Sequence, residues 1–156
     1  MQLVGPVLYG ADAAVAAYVA ARIPHAGEGF GACAALGVVR EGVLLGGIVY
    51  HNWRGRDIEV SAAFDRADWA RPAVLRCLFA YPFEQLGCAR MTAVTGQRND
   101  RARRFLSGIG FVREGVARRA LADDEDAIIF GLLHAECRFL KGHGHGIENP
   151  ENTCRT

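Results

Sequence analysis

The sequence predicts one α+β domain, with a mostly antiparallel sheet of six to seven strands, one parallel pair within it, and three to four flanking helices. Three observations predict it. Apolar runs of strand length recur between turn residues; alanine-rich or amphipathic segments of helix length interrupt them; and the two kinds follow the order β-α-β-β-β-α-β-α-β-β. A helix separates DIEVSAAF (57–64) from RMTAVT (90–95), which makes that pair the parallel crossover, because short turns join antiparallel neighbours.

Each element has its own signal. Met1 to Tyr9 reads as a short first strand broken by Gly5 and Pro6, and ADAAVAAYVAAR (11–22) as a helix that Pro24 stops. Glu41-Gly42 between CAALGVVR (33–40) and VLLGGIVY (43–50) is a hairpin signal. The polar turn HNWRGR leads into the third strand of this meander, DIEVSAAF. Pro72 suits a first helical position, AVLRCLFAYPFEQL continues amphipathically to Gly87, and Pro82 predicts a kink near Leu78 to Pro82. Asn99 is a good N-cap for DRARRFLSGI (100–109). FVREGVARRAL (111–121) and DAIIFGLL (126–133) close the chain's strands around the acidic turn ADDED. The domain is expected over 1–140, with a disordered tail over 141–156 rich in Gly, Asn and Pro. His143 and His145 on such a tail make a poor chelate, so no metal is expected.

Composition narrows the function. Apolar residues make up 51% of the 156 and charged ones 22%, which suits a globular core. Eighteen basic against seventeen acidic side chains leave +1, which argues against a nucleic-acid partner held by overall positive charge. The five cysteines are scattered and show no CxxC pair, as expected for reduced thiols. The N-terminal stretch lacks a basic region and carries Asp12, so neither a signal peptide nor a membrane span is expected, and a cytoplasmic setting is the default.

The stretch NDRARRFLSGIGFVREG supplies Asn99, Ala102 three positions on, Ile109-Gly110-Phe111 closing the helix, and Glu114-Gly115 in the next strand. This resembles the signature of the GCN5-related N-acetyltransferase (GNAT) superfamily, and AVLRCLFAYPFEQLGCARMTAVT resembles its central helix and following strand. The resemblance spans roughly Ala32 to Glu136, and its details are most similar to small phage- or prophage-associated members.

The resemblance implies acetyl-CoA as co-substrate, bound where DIEVSAAF and RMTAVT splay. It assigns Ser61, Ala62, Ala63 and Phe64 to the pantetheine arm through their backbone, with N–H groups there polarising the thioester carbonyl. The pyrophosphate would meet the helix at Pro72 and the preceding loop. That loop departs from the family's Arg/Gln-x-x-Gly-x-Gly: Arg66 holds the first position, but Trp69 and Arg71, flanking Ala70, stand where glycines are expected. Either Arg66 and Arg71 replace lost amide contacts with charge-assisted bonds, or the loop no longer binds CoA. Trp69 either packs over the sheet edge or stacks on ligand. Asn99 would serve the pantetheine, beside its role as a cap, and Arg103 with Arg98, Arg101 and Arg104 would supply phosphate charge or a solvated face. The family's general-acid Tyr, seven positions after the Asn, is here Leu106.

For the general base, Glu59 comes first. Alternation puts Asp57, Glu59, Ser61 and Ala63 on one face of the strand, opposite Ile58, Val60, Ala62 and Phe64. His51 is the second candidate, by its intrinsic pKa; a surface carboxylate and an exposed turn histidine are the plain alternatives. The implied activity is direct acetyl transfer to a primary amine of a small molecule or protein, with no membrane or nucleic-acid partner and with a homodimer open. A non-catalytic acyl-CoA-binding or protein-interaction module is the alternative, and nucleobase modification by a phage-type relative is a third reading.

Overall fold

Gly5 and Pro6 do more than interrupt the first strand. In the computed structural model, which describes residues 1–24 and 26–141, Gly5 takes φ +55° and turns the chain back. Strands β1 (Gln2–Val4) and β2 (Val7–Tyr9) therefore pair as a hairpin, Val4 opposite Val7. The sheet consequently has eight strands, not six to seven. The tail from 142, with His143 and His145, lies outside the described residues.

The meander is as expected. Strands β3 (Cys33–Arg40), β4 (Val43–His51) and β5 (Asp57–Phe64) are antiparallel neighbours. Glu41 and Gly42 take φ of 51° and 77°, the double left-handed step that a tight two-residue hairpin needs. Strand β6 (Arg90–Gly96) joins β5 in parallel, and β7 (Val112–Ala117) and β8 (Ala127–Leu133) complete the order β1-β2-β3-β4-β5-β6-β8-β7. Strand β7 stops at Ala117, short of the expected Leu121, because Arg119 turns at φ +53°.

Three α-helices cover the sheet. Helix α1 (Asp12–Ala20) lies on one face, where Val15 and Val19 pack on Ala35 and Val49. A methyl on Gly47 would come within 2.3 Å of Val15, so the bare backbone there lets α1 approach closely. Helices α2 (Pro72–Ala80) and α3 (Asp100–Gly108) take the other face and bury the main core, with Leu78, Met91, Ile128 and Leu132 at its centre.

Pro82 has the foreseen effect. It has no N–H to give the Leu78 carbonyl, and α2 passes at Tyr81–Gln85 into a π-helical turn, in which Leu86 N–H reaches Tyr81 O at 3.0 Å. The Leu78 carbonyl instead accepts from the buried Tyr50 hydroxyl of β4 at 2.6 Å. A side chain from the sheet thus replaces the hydrogen bond that proline removes, and ties α2 to β4. Replacing Tyr50 by Phe orphans that carbonyl and is expected to cost about 1–3 kcal/mol. Urea denaturation checks this: a lower midpoint is expected, and an unchanged midpoint would show that the carbonyl finds another donor.

Candidate active site

The site begins where two strands part. Strands β5 and β6 pair only through Asp57↔Arg90, Ile58↔Met91, Glu59↔Thr92 and Val60↔Ala93. Beyond Val60, β5 stays with β4 as far as Gly46↔Phe64, and β6 stays with β8 as far as Gly96↔Ala127. Each strand follows its antiparallel neighbour, and a V opens between them. Its closed end is clamped by Asp57, which accepts from Thr92 Oγ1 at 2.8 Å and pairs with Arg90 at 3.4 Å.

The open end exposes backbone. Asp65 N–H bonds Leu45 O at 2.9 Å, which sets the phase of the β4–β5 ladder. In an antiparallel ladder alternate residues turn their N–H and C=O away from the partner, so those of Ala62 and Phe64 face the gap. These are the groups a thioester-bearing arm can pair with.

A cavity of about 670 Å³ occupies the gap. Its walls come from both sheet faces: Val60, Ala62, Leu78 and Phe105 from the side of α2 and α3, and Ser61, Ala63, Asp65 and Arg22 from the side of α1. The cavity therefore runs through the sheet. Exposed residues line it at two ends, Asn99 and Arg101 at the start of α3, and Arg22 and Pro24, beside Ile23, at the end of α1. Asp65 holds that second end, accepting from the Tyr18 hydroxyl and from Arg22 Nε at 3.0 Å. The Tyr18 hydroxyl, and Arg22 beside it, keep the Asp65 carboxyl below its ordinary range.

Trp69 closes one wall. Its indole is 7% exposed, stacks on Phe64 at 3.5 Å and leans on Phe105 at 5.5 Å. The three rings bridge the end of β5 to α3 and form part of the cavity wall. The loop between β5 and α2 is a short 3₁₀ turn, Ala67–Trp69, and not a glycine cradle. Arg71 N–H is engaged by Trp69 O at 2.8 Å, and Arg66 is held by Asp68 at 2.9 Å, with Arg40 on the same carboxylate at 2.6 Å. Arg66, Ala70 and Arg71 lie outside the cavity wall, and the Arg71 side chain is exposed.

Asn99 caps α3 as expected, its Oδ1 accepting from Ala102 N–H at 3.1 Å, and it also lines the cavity. Of the arginine cluster, Arg101 reaches the cavity, whereas Arg103 pairs with Asp100 and turns toward a second, charged hollow with Arg98, Arg113 and Glu125. Leu106 lines the cavity at the position that the resemblance gives to a Tyr acid. Glu114 of the quoted signature pairs with Arg90 at 2.7 Å across β6 and β7.

The two base candidates come together. Glu59 and His51 face each other across β5 and β4, with His51 Nδ1 at 3.7 Å from Glu59 Oε2, and Asn52 Nδ2 donates to the same oxygen. His51 Nε2 lies 3.0 Å from Ser61 Oγ, and Phe30 covers the ring at 5.0 Å. Burial holds the imidazole below its ordinary pKa, against the raising pull of Glu59. Neither Glu59 nor His51 lines the cavity; Ser61 does. The sequence reading missed Arg22 and Thr95 as cavity residues, because only the packing of α1 and the parting of β6 from β5 bring them to the gap; Arg101 it named within the arginine cluster. Among the described residues no group of three metal-ligating side chains forms, and no helix is long and apolar enough to cross a membrane.

No protein-family model matches the chain, and no curated protein matches it. Solved structures do. A protein described as a probable acetyltransferase is 28% identical, with TM-score 0.59, over 67% of this chain and 62% of its own. The ribosomal-protein-S5-alanine acetyltransferase of Vibrio fischeri is 20% identical, with TM-score 0.59, over 68% and 64%. A GNAT-family acetyltransferase of Bacillus anthracis is 20% identical, with TM-score 0.56, over 65% and 67%. The chain carries the fold of GNAT acetyltransferases, and it spans about 62% and 64% of the length of the first two.

The indole's place on the gap makes it a reporter. With Trp53 replaced by Phe, Trp69 is the sole tryptophan, and saturating acetyl-CoA is expected to change its emission. Calorimetrically detected binding with unchanged emission would place the ligand elsewhere.

Proposed function

We propose that the chain is an acyl-CoA-dependent N-acyltransferase that moves an acetyl group directly to a primary amine. The observation that supports this best is the cavity at the V, since its lining reaches from the start of α3 to the end of α1, room for two reactants, with bare backbone between them. The thioester arm enters by Asn99 and Arg101, and the N–H groups of Ala62 and Phe64, about 6.6 Å apart along the strand, pair with separate carbonyl oxygens of that arm, one of them the thioester's, where charge develops. The acceptor enters by Arg22, Ile23 and Pro24. Arg101 at the α3 end and the exposed Arg71 at the start of α2 supply the positive charge for the CoA phosphates.

Proton removal falls to the Glu59–His51 pair on the α1 side. A neutral imidazole accepts the proton and Glu59 stabilises the imidazolium that results. Leu106 gives the thiolate no proton, so the sulfur takes one from the nitrogen or from water. A second reading, an acyl-CoA-binding module without catalysis, is favoured by Leu106 and by the Trp69 wall.

Two measurements separate these readings. Acetyl-CoA at a hundred times its Kd is expected to stabilise the chain by about 2.7 kcal/mol, seen as a raised Tm; no shift with any acyl-CoA would exclude both. Release of CoA with a panel of primary amines supports transfer, and its absence alongside a Tm shift supports the module. Since His51 must be neutral to act, kcat is expected to fall with acidification through an inflection below the ordinary histidine range. His51→Asn is expected to remove that limb and to cost on the order of 10²-fold in kcat.

A further inference from the structure

The imidazole does not line the cavity; Ser61 does, and its hydroxyl lies 3.0 Å from His51 Nε2. We infer that Ser61 is a catalytic proton relay, whose hydroxyl takes a proton from the acceptor nitrogen and passes its own to His51 Nε2. The inference rests on the transferase reading and adds to it the route by which the proton reaches a base outside the cavity.

Placement argues for it. Ser61 is the first residue of β5 beyond the last parallel pair, so its side chain stands at the fork of the V, on the α1 side where the acceptor enters. His51 lies opposite Glu59 across the ladder, and Ser61 is two residues further along the same face, within diagonal reach. The 3.0 Å separation of Ser61 Oγ and His51 Nε2 is hydrogen-bond distance. On the far side of the ring, Nδ1 faces Glu59 Oε2 at 3.7 Å, and Asn52 anchors that carboxylate. Nucleophile-side hydroxyl, base and orienting carboxylate thus stand in sequence.

The surroundings keep the ring in place and ready. Phe30 covers it, and its side chain is 14% exposed. The titratable groups facing it are the Glu59 carboxylate on β5 and, across β3, the Cys33 thiol, which burial and then Asp12 raise above its ordinary pKa. A neutral thiol and an anionic carboxylate leave the imidazole free to accept one proton and to be stabilised once charged.

The step balances. The acceptor ammonium gives one N–H proton to Ser61 Oγ while the serine O–H proton moves to Nε2, leaving a neutral amine, an intact serine and an imidazolium beside Glu59. The amine lone pair then forms the C–N bond, the C–S bond breaks, and the second proton shed by nitrogen ends on the CoA sulfur. His51 returns its proton to solvent.

The test uses the full chain, acetyl-CoA and whichever amine of an alkylamine, an arylalkylamine, a polyamine and a lysyl peptide releases CoA fastest. Ser61→Ala is expected to lower kcat on the order of 10²-fold, to leave the KM for acetyl-CoA unchanged, and to erase the acidic limb set by His51. Ser61→Thr, which keeps a hydroxyl on the strand, is expected to restore much of the rate and the limb. A second measurement needs no turnover: long-range ¹H–¹⁵N correlation at neutral pH is expected to show His51 protonated at Nδ1 and bare at Nε2. Protonation at Nε2 would overturn the relay, since that nitrogen would then donate to Ser61. An undiminished kcat with an unchanged pH profile in Ser61→Ala would also overturn it and leave the transferase reading standing. No CoA release from the unmodified chain with any of the four amines would remove both.

Discussion

Divided pairing of two strands shapes everything else in this molecule. Beyond Val60 each of β5 and β6 has a choice between its parallel neighbour and its antiparallel one, and each keeps the antiparallel one. Antiparallel ladders bond slightly better per residue than parallel ones, and here they are reinforced: Asp65 continues β5 onto Leu45, while β6 runs its whole length against β8. The Asp57–Thr92–Arg90 clamp stops the opening from spreading to the closed end. The sheet is thus continuous at one end and open at the other, and a cavity through it follows without any added element.

Around that opening the side chains divide by strand alternation. Even-numbered positions of β5 turn toward α2 and α3 and give the apolar half of the cavity; odd-numbered ones turn toward α1 and hold Glu59, Ser61 and Asp65. Tyr50, in the neighbouring strand, fastens α2 through the carbonyl that Pro82 leaves without a donor. The polar row and the apolar floor are therefore two faces of one strand, and a shift of one residue in its register would exchange them.

Much of this was legible in the sequence. The chain order of helices and strands from α1 onward, the parallel crossover, the Asn99 cap, the break at Pro82 and the two faces of β5 follow from local patterns whose physics is local: turn residues, proline's missing N–H, and a period of two. What was not legible depends on contacts between distant segments. The hairpin hidden in Met1 to Tyr9 needed the φ of Gly5 and a partner in β3. The exchange of Arg66 and Arg103 into ion pairs with Asp68 and Asp100 needed side-chain geometry. The meeting of Glu59 with His51, eight residues apart in the chain, needed the register of β4 on β5, and Ser61 was visible as a strand residue but not as a partner of the imidazole.

The central claim is that unpaired main chain on β5 receives a thioester-bearing arm, and amide exchange reads it directly. With saturating acetyl-CoA, the amides of Ala62 and Phe64 should gain protection from hydrogen exchange while those of Ser61 and Ala63, already bonded to β4, change little. Equal exchange at Ala62 and Phe64 with and without bound acetyl-CoA would contradict the account, because the arm would then lie somewhere other than in the gap.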